Sequence, residues 1–289
     1  MRDDKIKVRF WGTRGSTPSP GKNTIKYGGN TACTEVLFPN NTRFILDAGT
    51  GIRELGIQLR QKPEKVRGYI FLSHYHWDHI QGLPFFTPAY IPGNEFTIIG
   101  PEHPQVDLEK IISNQMESVY FPVPFSILSS KIDFLKLKQG YRQIGDIDVE
   151  TLNVQHPGGS LSYRFTYGGQ TFVYMTDNEL GLNPRPPNSK AASLKETIEF
   201  VQRADLLIHD GQYTDEELKT KTGWGHSTWK EAMQLAIDSD VRRLILFHHE
   251  PEHSDSQLDK SMEECEELLV QKDVKLHCQW AEEGMEVLI

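Results

Sequence analysis

The chain has 289 residues and a formal net charge of −9, with 31 Lys and Arg against 40 Asp and Glu. It has no Lys/Arg-rich block, and because proteins that grip long nucleic acid carry a basic face, a long polyanionic partner is disfavoured. No apolar run approaches the roughly 18 residues that span a bilayer, and the opening Met-Arg-Asp-Asp-Lys has no signal-peptide apolar core. Three scattered cysteines, Cys33, Cys265 and Cys278, form no Cys-x-x-Cys pattern and suggest a reducing cytoplasm.

Apolar patterning predicts strands at 5–11, 33–38 and 42–48, the last two joined by a turn at Asn40 and Asn41. A helix follows at 51–61, then a buried strand at 66–73. Further on come a strand at 96–100, an amphipathic helix at 104–119, and strands at 131–137, 149–155, 161–167 and 171–176. Gly168 and Gly169 make the two-residue turn between the last two. The remainder reads as helix 190–203, strand 204–209, helices 214–221 and 228–239, strand 242–248, helix 255–272 and a closing hairpin at 274–289. Thr214, Thr228 and Ser254 each precede a Glu or Gln by three positions, the capping-box spacing. No linker or short repeat divides the chain, so one domain over 1–289 is expected, in two similar halves. Strands followed by helices in each half suit two sheets packed face to face with helices outside.

The chemistry concentrates at residues 74–79, His-Tyr-His-Trp-Asp-His. A two-residue step puts His74 and His76 on one side of an extended chain, while Asp78 and His79 point elsewhere, so one loop can serve two metals. A rigid strand ahead of the loop places it well. Three later strands also deliver a ligand type at their ends: His156, Asp177 and His248. His249 is the rival of His248; it and His253 otherwise read as supporting or surface residues.

The H-x-H-x-D-H run resembles that of the metallo-β-lactamase superfamily. The resemblance implies an α/β fold, the four-layer αββα sandwich. It implies that His74, His76 and His156 hold one divalent metal, that Asp78, His79 and His248 hold the other, and that Asp177 bridges them. Histidine and carboxylate ligands suit Zn²⁺, and Mn²⁺ and Fe²⁺ also fit. Two metals sharing a carboxylate activate water and stabilise charge on the attacked group, which serves many hydrolytic substrates alike.

Other segments narrow the choice. Gly225-His226-Ser227-Thr228 opens a capped helix, where an anion is favoured, and resembles a segment of the phosphodiesterase branch that includes ribonuclease Z. By that resemblance His226 meets the scissile phosphate as proton donor or charge-assisted hydrogen-bond partner. Asp78 and His226 are therefore the catalytic candidates. Arg14, in the tight loop after the first strand, suits bidentate pairing with a phosphate or carboxylate and equally a salt bridge within a structural turn, and Asn30 and Thr31 are candidates to line a cleft. Together these loops resemble small phosphodiesterases near ribonuclease Z, including proteins that destroy cyclic-nucleotide immune signals. Asp47 is expected to orient a metal histidine, and His209 to do the same from the other half. Asp210 ends the same strand as His209. The aromatic segment 119–125 reads equally as lid, dimer contact or core loop.

The expectation is thus a dinuclear phosphodiesterase that opens a 3′,5′-cyclic nucleotide to the 5′-monophosphate, as a cytoplasmic homodimer by family resemblance. The enzymatic alternatives are a tRNA 3′-processing endonuclease, whose family clasps tRNA with a protruding Gly-rich basic arm not visible here, and a phosphoribosyl cyclic phosphodiesterase. The alternative of another class is a catalytically silent nucleotide-binding protein.

Overall fold

A computed structural model describes residues 5–61, 63–182 and 189–289. The chain divides into two compact units: Met1–Pro18 with Gly28–Lys138 and Glu282–Ile289, and Ser19–Tyr27 with Gln139–Ala281. Among the described residues, no helix is long and apolar enough to cross a membrane.

The first unit contains strands β1 (Lys7–Gly12), β2 (Cys33–Leu37), β3 (Arg43–Leu46), β4 (Arg67–Phe71), β5 (Glu95–Pro101) and β6 (Lys131–Leu137). Its helices are α1 (Ile52–Arg60), α2 (Trp77–Ile80) and α3 (Leu108–Ser113). The sheet is completed by a last strand, Glu286–Leu288, on the outer side of β1. β1, β2 and β3 pair antiparallel, whereas β3 to β6 run parallel. Ile52, Leu55 and Leu59 recur at helical spacing and are the buried face of α1. They pack with Ile45, Ile70, Phe86 and Ile98, and full burial of each such side chain stabilises by roughly 1.5–3 kcal/mol.

The second unit holds β7 (Gly140–Ile144), β8 (Ile147–Val154), β9 (Ser160–Tyr167), β10 (Gln170–Met175), β11 (Leu206–Asp210), β12 (Arg243–Phe247) and β13 (His277–Trp280). The Glu286–Leu288 strand of the first unit is then β14. Helices α4 (Leu194–Val201), α5 (Asp215–Lys221), α6 (Trp229–Asp238) and α7 (Asp255–Gln271) belong here. β7 to β10 form an antiparallel meander, and β10 to β13 are parallel. All four helices start with a capping box, on Ser193, Thr214, Thr228 and Ser254. The apolar faces of α4, α6 and α7 join Val173, Leu207, Leu244 and Trp280 in one core, whereas α5 buries none of its residues.

Three expectations are corrected and one strand is added. Residues 274–289 are not a hairpin: β13 pairs with β12, and β14 pairs with β1 in the other sheet. The helix expected at 104–119 is only α3 followed by a single 3-10 turn over Asn114–Met116, because Asp107 caps it late and Pro122 and Pro124 follow. β7 escaped the pattern because four of its five residues are exposed, so it has no apolar alternation. The helix expected from 190 begins at Leu194, where the Ser193 cap sets its start.

Candidate metal centre

In the first unit, β3 and β4 are parallel and in register, so their carboxyl ends coincide. Asp47 follows β3 in the left-handed region, at φ +60°. Its carboxylate accepts from Ser73 N at 2.7 Å and contacts His79 Nδ1 at 2.8 Å. The Ser73 hydroxyl also reaches Asp47 and lies 3.0 Å from His74 Nδ1. Asp47 therefore orients His79, a candidate ligand. The rings of His74 and His76 lie 4.5 Å apart, those of His74 and His79 4.3 Å. His79 Nε2 faces Asp78 Oδ2 at 3.1 Å. With the Nδ1 proton given to Asp47, that contact sets two lone pairs against each other, an arrangement a shared cation relieves. Asp78 Oδ2 also accepts from Ser16 N at 2.7 Å, and Ser16 itself sits at φ +59°.

In the second unit three parallel strands end together: Asp177 follows β10, Asp210 closes β11 and His248 follows β12. Asp177 Oδ1 lies 3.3 Å from His248 Nε2, and its other oxygen lies 3.7 Å from His156 Nε2. The opposite ring nitrogens are anchored on oxygens: His248 Nδ1 on Gln212 Oε1 at 2.8 Å, His156 Nδ1 on the Gly225 carbonyl at 3.0 Å. Each anchor fixes the tautomer whose Nε2 lone pair faces Asp177. One carboxylate thus turns one oxygen to each histidine, the disposition a bridging ligand needs. Asp177 and His248 adopt φ +51° and +61°, so this unit too bends its backbone into a sparsely populated region at the strand ends.

His226 joins the same cluster. Ligand atoms of Asp177, Asp210, His226 and His248 all lie within 4.8 Å of one another. His226 Nδ1 is 2.7 Å from Asp210 Oδ2, its ring stacks on His248 at 5.0 Å, and Tyr213 meets it edge-on at 5.6 Å. Burial raises the Tyr213 phenol well above the ordinary tyrosine range, with Glu250 adding to the effect, so it stays neutral beside that ring.

The supporting role expected of His209 is corrected. Its ring bonds to the Asp210 carbonyl and to Asn178, and burial lowers its pKa. Successive strand residues face opposite sides, so only one of His209 and Asp210 can serve the cluster, and it is Asp210. His249 turns away, with Nε2 on the Ala281 carbonyl and its ring edge-on to Tyr27 and Trp280. His253 pairs with Glu217.

The loop residues expected to touch substrate are bonded within the first unit. Arg14 is instead fully buried, with Nε donating to the Gly28 carbonyl at 2.8 Å. Asn30 binds Glu283 through both its backbone N–H and its side-chain amide, and its Oδ1 accepts from Thr50. Thr31 and Thr50 exchange backbone-to-hydroxyl bonds, each 2.9 Å. These bonds all lie within the unit and shape its loops.

Several site residues carry no motif. Gln212 bonds His248 and also Glu250, which pairs with Lys221. Buried Glu179 accepts from Gly223 N and Gly225 N at 2.8 and 2.9 Å, and the Ser227 hydroxyl donates to the Asn178 carbonyl at 2.6 Å. These bonds stitch the segment after β10 to the turn before α6. Gly225, at φ +95°, has no room for a side chain, since a Cβ would lie 2.2 Å from His156 Nδ1.

A family model described as a β-lactamase superfamily domain matches residues 42–249, and the chain belongs to that family, the metallo-β-lactamase superfamily. Ribonuclease Z of Pyrococcus horikoshii is 28% identical, covering 93% of this chain and 94% of that one. Ribonuclease Z of Exiguobacterium sibiricum is 28% identical over 84% of this chain and 88% of its own. Among solved structures, the metallo-β-lactamase fold protein YhfI of Bacillus subtilis aligns with a TM-score of 0.69 at 19% identity, covering 99% and 100% of the two chains. The fold is therefore the α/β metallo-β-lactamase fold expected from the sequence, and the protein is a metal-dependent hydrolase near ribonuclease Z.

Proposed function

We propose that the protein is a dinuclear-metal phosphodiesterase that opens a small cyclic phosphodiester, a 3′,5′-cyclic nucleotide, to the 5′-monophosphate. In this reading His74, His76 and His156 hold one divalent cation, Asp78, His79 and His248 the second, and Asp177 bridges. Zn²⁺ suits the donors best, with Mn²⁺ and Fe²⁺ as alternatives. When bound, such cations supply Lewis acidity and lower the pKa of the attacking water.

The observation that carries the reading is His226, held at 2.7 Å by buried Asp210 and stacked on His248. An amide- or lactam-cleaving site has no need of a second carboxylate-held histidine there, whereas a phosphodiester has a charged phosphoryl group and an alkoxide leaving group. Hydroxide, left when water gives a proton to solvent, attacks phosphorus, the P–O3′ bond breaks, and imidazolium His226 passes its Nε2 proton to the 3′ oxygen and regains one from solvent. Asp210 accepts from the Nδ1–H, orienting the ring and stabilising the imidazolium that carries the Nε2 proton.

A second reading, a tRNA 3′-processing endonuclease, is favoured by the 28% identity with Pyrococcus horikoshii ribonuclease Z over 93% of the chain. The small substrate is favoured by the net charge of −9 and by residues 102–145, which hold α3, β6 and β7 and only two glycines, Gly140 and Gly145. The test is to incubate the Zn²⁺-loaded protein with cyclic mononucleotides, cyclic dinucleotides and precursor tRNA and identify the products. Formation of 5′-monophosphates faster than tRNA cleavage is expected. Specific cleavage at the tRNA 3′ end with the mononucleotides untouched overturns the reading in favour of the endonuclease.

A further inference from the structure

Trp224 is 60% exposed, although an indole gains more from burial than almost any other side chain. The turn that presents it is tightly held. The N–H groups of its two neighbours, Gly223 and Gly225, both donate to buried Glu179, and its own N–H bonds the Lys221 carbonyl at 3.1 Å. The Gly225 carbonyl anchors His156, and His226 is fixed by Asp210. The indole is thus displayed by a pinned turn that also positions a candidate metal ligand and the candidate phosphate histidine. Between 222 and 228 it is the single exposed large apolar side chain, so the turn offers one flat ring rather than a broad apolar face. Two residues of chain reach at most about 7 Å, the scale of one nucleotide from phosphate to base.

We propose that Trp224 is the stacking platform for the base of a nucleotide whose phosphate meets His226. The proposal rests on the phosphodiesterase reading and names the part of the substrate recognised away from phosphorus. Every base has a π face, so stacking gives affinity with little base preference, and a platform of this kind suits an enzyme acting on several nucleotides.

The test compares binding of adenosine 5′-monophosphate and ribose 5-phosphate by the Zn²⁺-loaded protein, measured by calorimetry for wild type, Trp224→Phe and Trp224→Ala. The wild type should prefer the nucleotide by roughly 10- to 100-fold, the range base–aromatic stacking supplies. Trp224→Phe should keep most of that preference, and Trp224→Ala should abolish it with ribose 5-phosphate binding unchanged. Equal binding of the two ligands by wild type, a preference that survives Trp224→Ala, or no nucleotide binding at all overturns the proposal. A Trp224-dependent preference in a protein that cleaves no phosphodiester overturns the proposed function but leaves the platform standing. Cleavage of cyclic nucleotides with KM unmoved by Trp224→Ala overturns the platform alone.

Discussion

Gly225→Ala separates the support of a metal ligand from ordinary backbone strain. Gly225 sits at φ +95°, where a Cβ would lie 2.2 Å from His156 Nδ1 and 2.4 Å from Pro157 Cδ. Two costs follow. Placing Ala at positive φ costs about 1–2 kcal/mol, and pushing the imidazole away breaks its hydrogen bond to the Gly225 carbonyl, about 1 kcal/mol more. The second cost reaches the metal, because losing a ligand's outer partner typically lowers affinity by about 10- to 100-fold. Gly223 supplies the control: it also has positive φ, +87°, but a Cβ there meets nothing within 4 Å. Gly223→Ala should therefore lose about 1–2 kcal/mol with metal affinity intact, while Gly225→Ala should lose roughly 2–3 kcal/mol and bind Zn²⁺ more weakly. Denaturant unfolding of the metal-free proteins gives the first quantity, and competition with a chromophoric chelator gives the second. Equal Zn²⁺ affinity in the two variants would refute the assignment of His156 as a ligand held by this turn.

Two further substitutions test the cluster. Asp177→Ala should reduce metal content at both sites, because one carboxylate faces both His156 and His248; elemental analysis showing two full equivalents retained would end the bridging assignment. His226→Ala should keep both metals and the fold while lowering kcat by roughly 10²–10⁴-fold, the scale of a positioned acid. Bis(p-nitrophenyl) phosphate, whose leaving group hardly needs a proton, should be far less affected if His226 donates that proton, and equally affected if His226 only clamps the phosphate.

What could be read in the sequence was the part fixed by side-chain type. His74, His76, Asp78 and His79 are recognisable because packed cores seldom need that spacing, and His156, Asp177 and His248 because each follows an apolar strand. Gln212 and Glu179 were not legible: reach and angle select them, and any polar side chain arriving at the same place would serve. Asn30 and Thr31 were weak signals for the same reason, since both types serve ordinary loops as readily as ligands. The closing strands misled because two short strands adjacent in the chain read as a hairpin, while β13 and β14 pair in different sheets.

Backbone geometry explains why these ligands can be aimed so closely. Among the described residues, eight other than glycine have positive φ, and four of them, Ser16, Asp47, Asp177 and His248, belong to the candidate site or touch it directly. A left-handed residue at a strand end lets the chain turn sharply while the side chain stays at the sheet's carboxyl edge. Asp tolerates that conformation better than most residues, and His is enriched there too. The strain persists because the surroundings over-determine it: Ser73 bonds Asp47, Thr176 donates to Asp177, and Gln212 holds His248. Relieving it would move a ligand oxygen or nitrogen away from its partners, so stability is given up at the positions where placement matters to the chemistry.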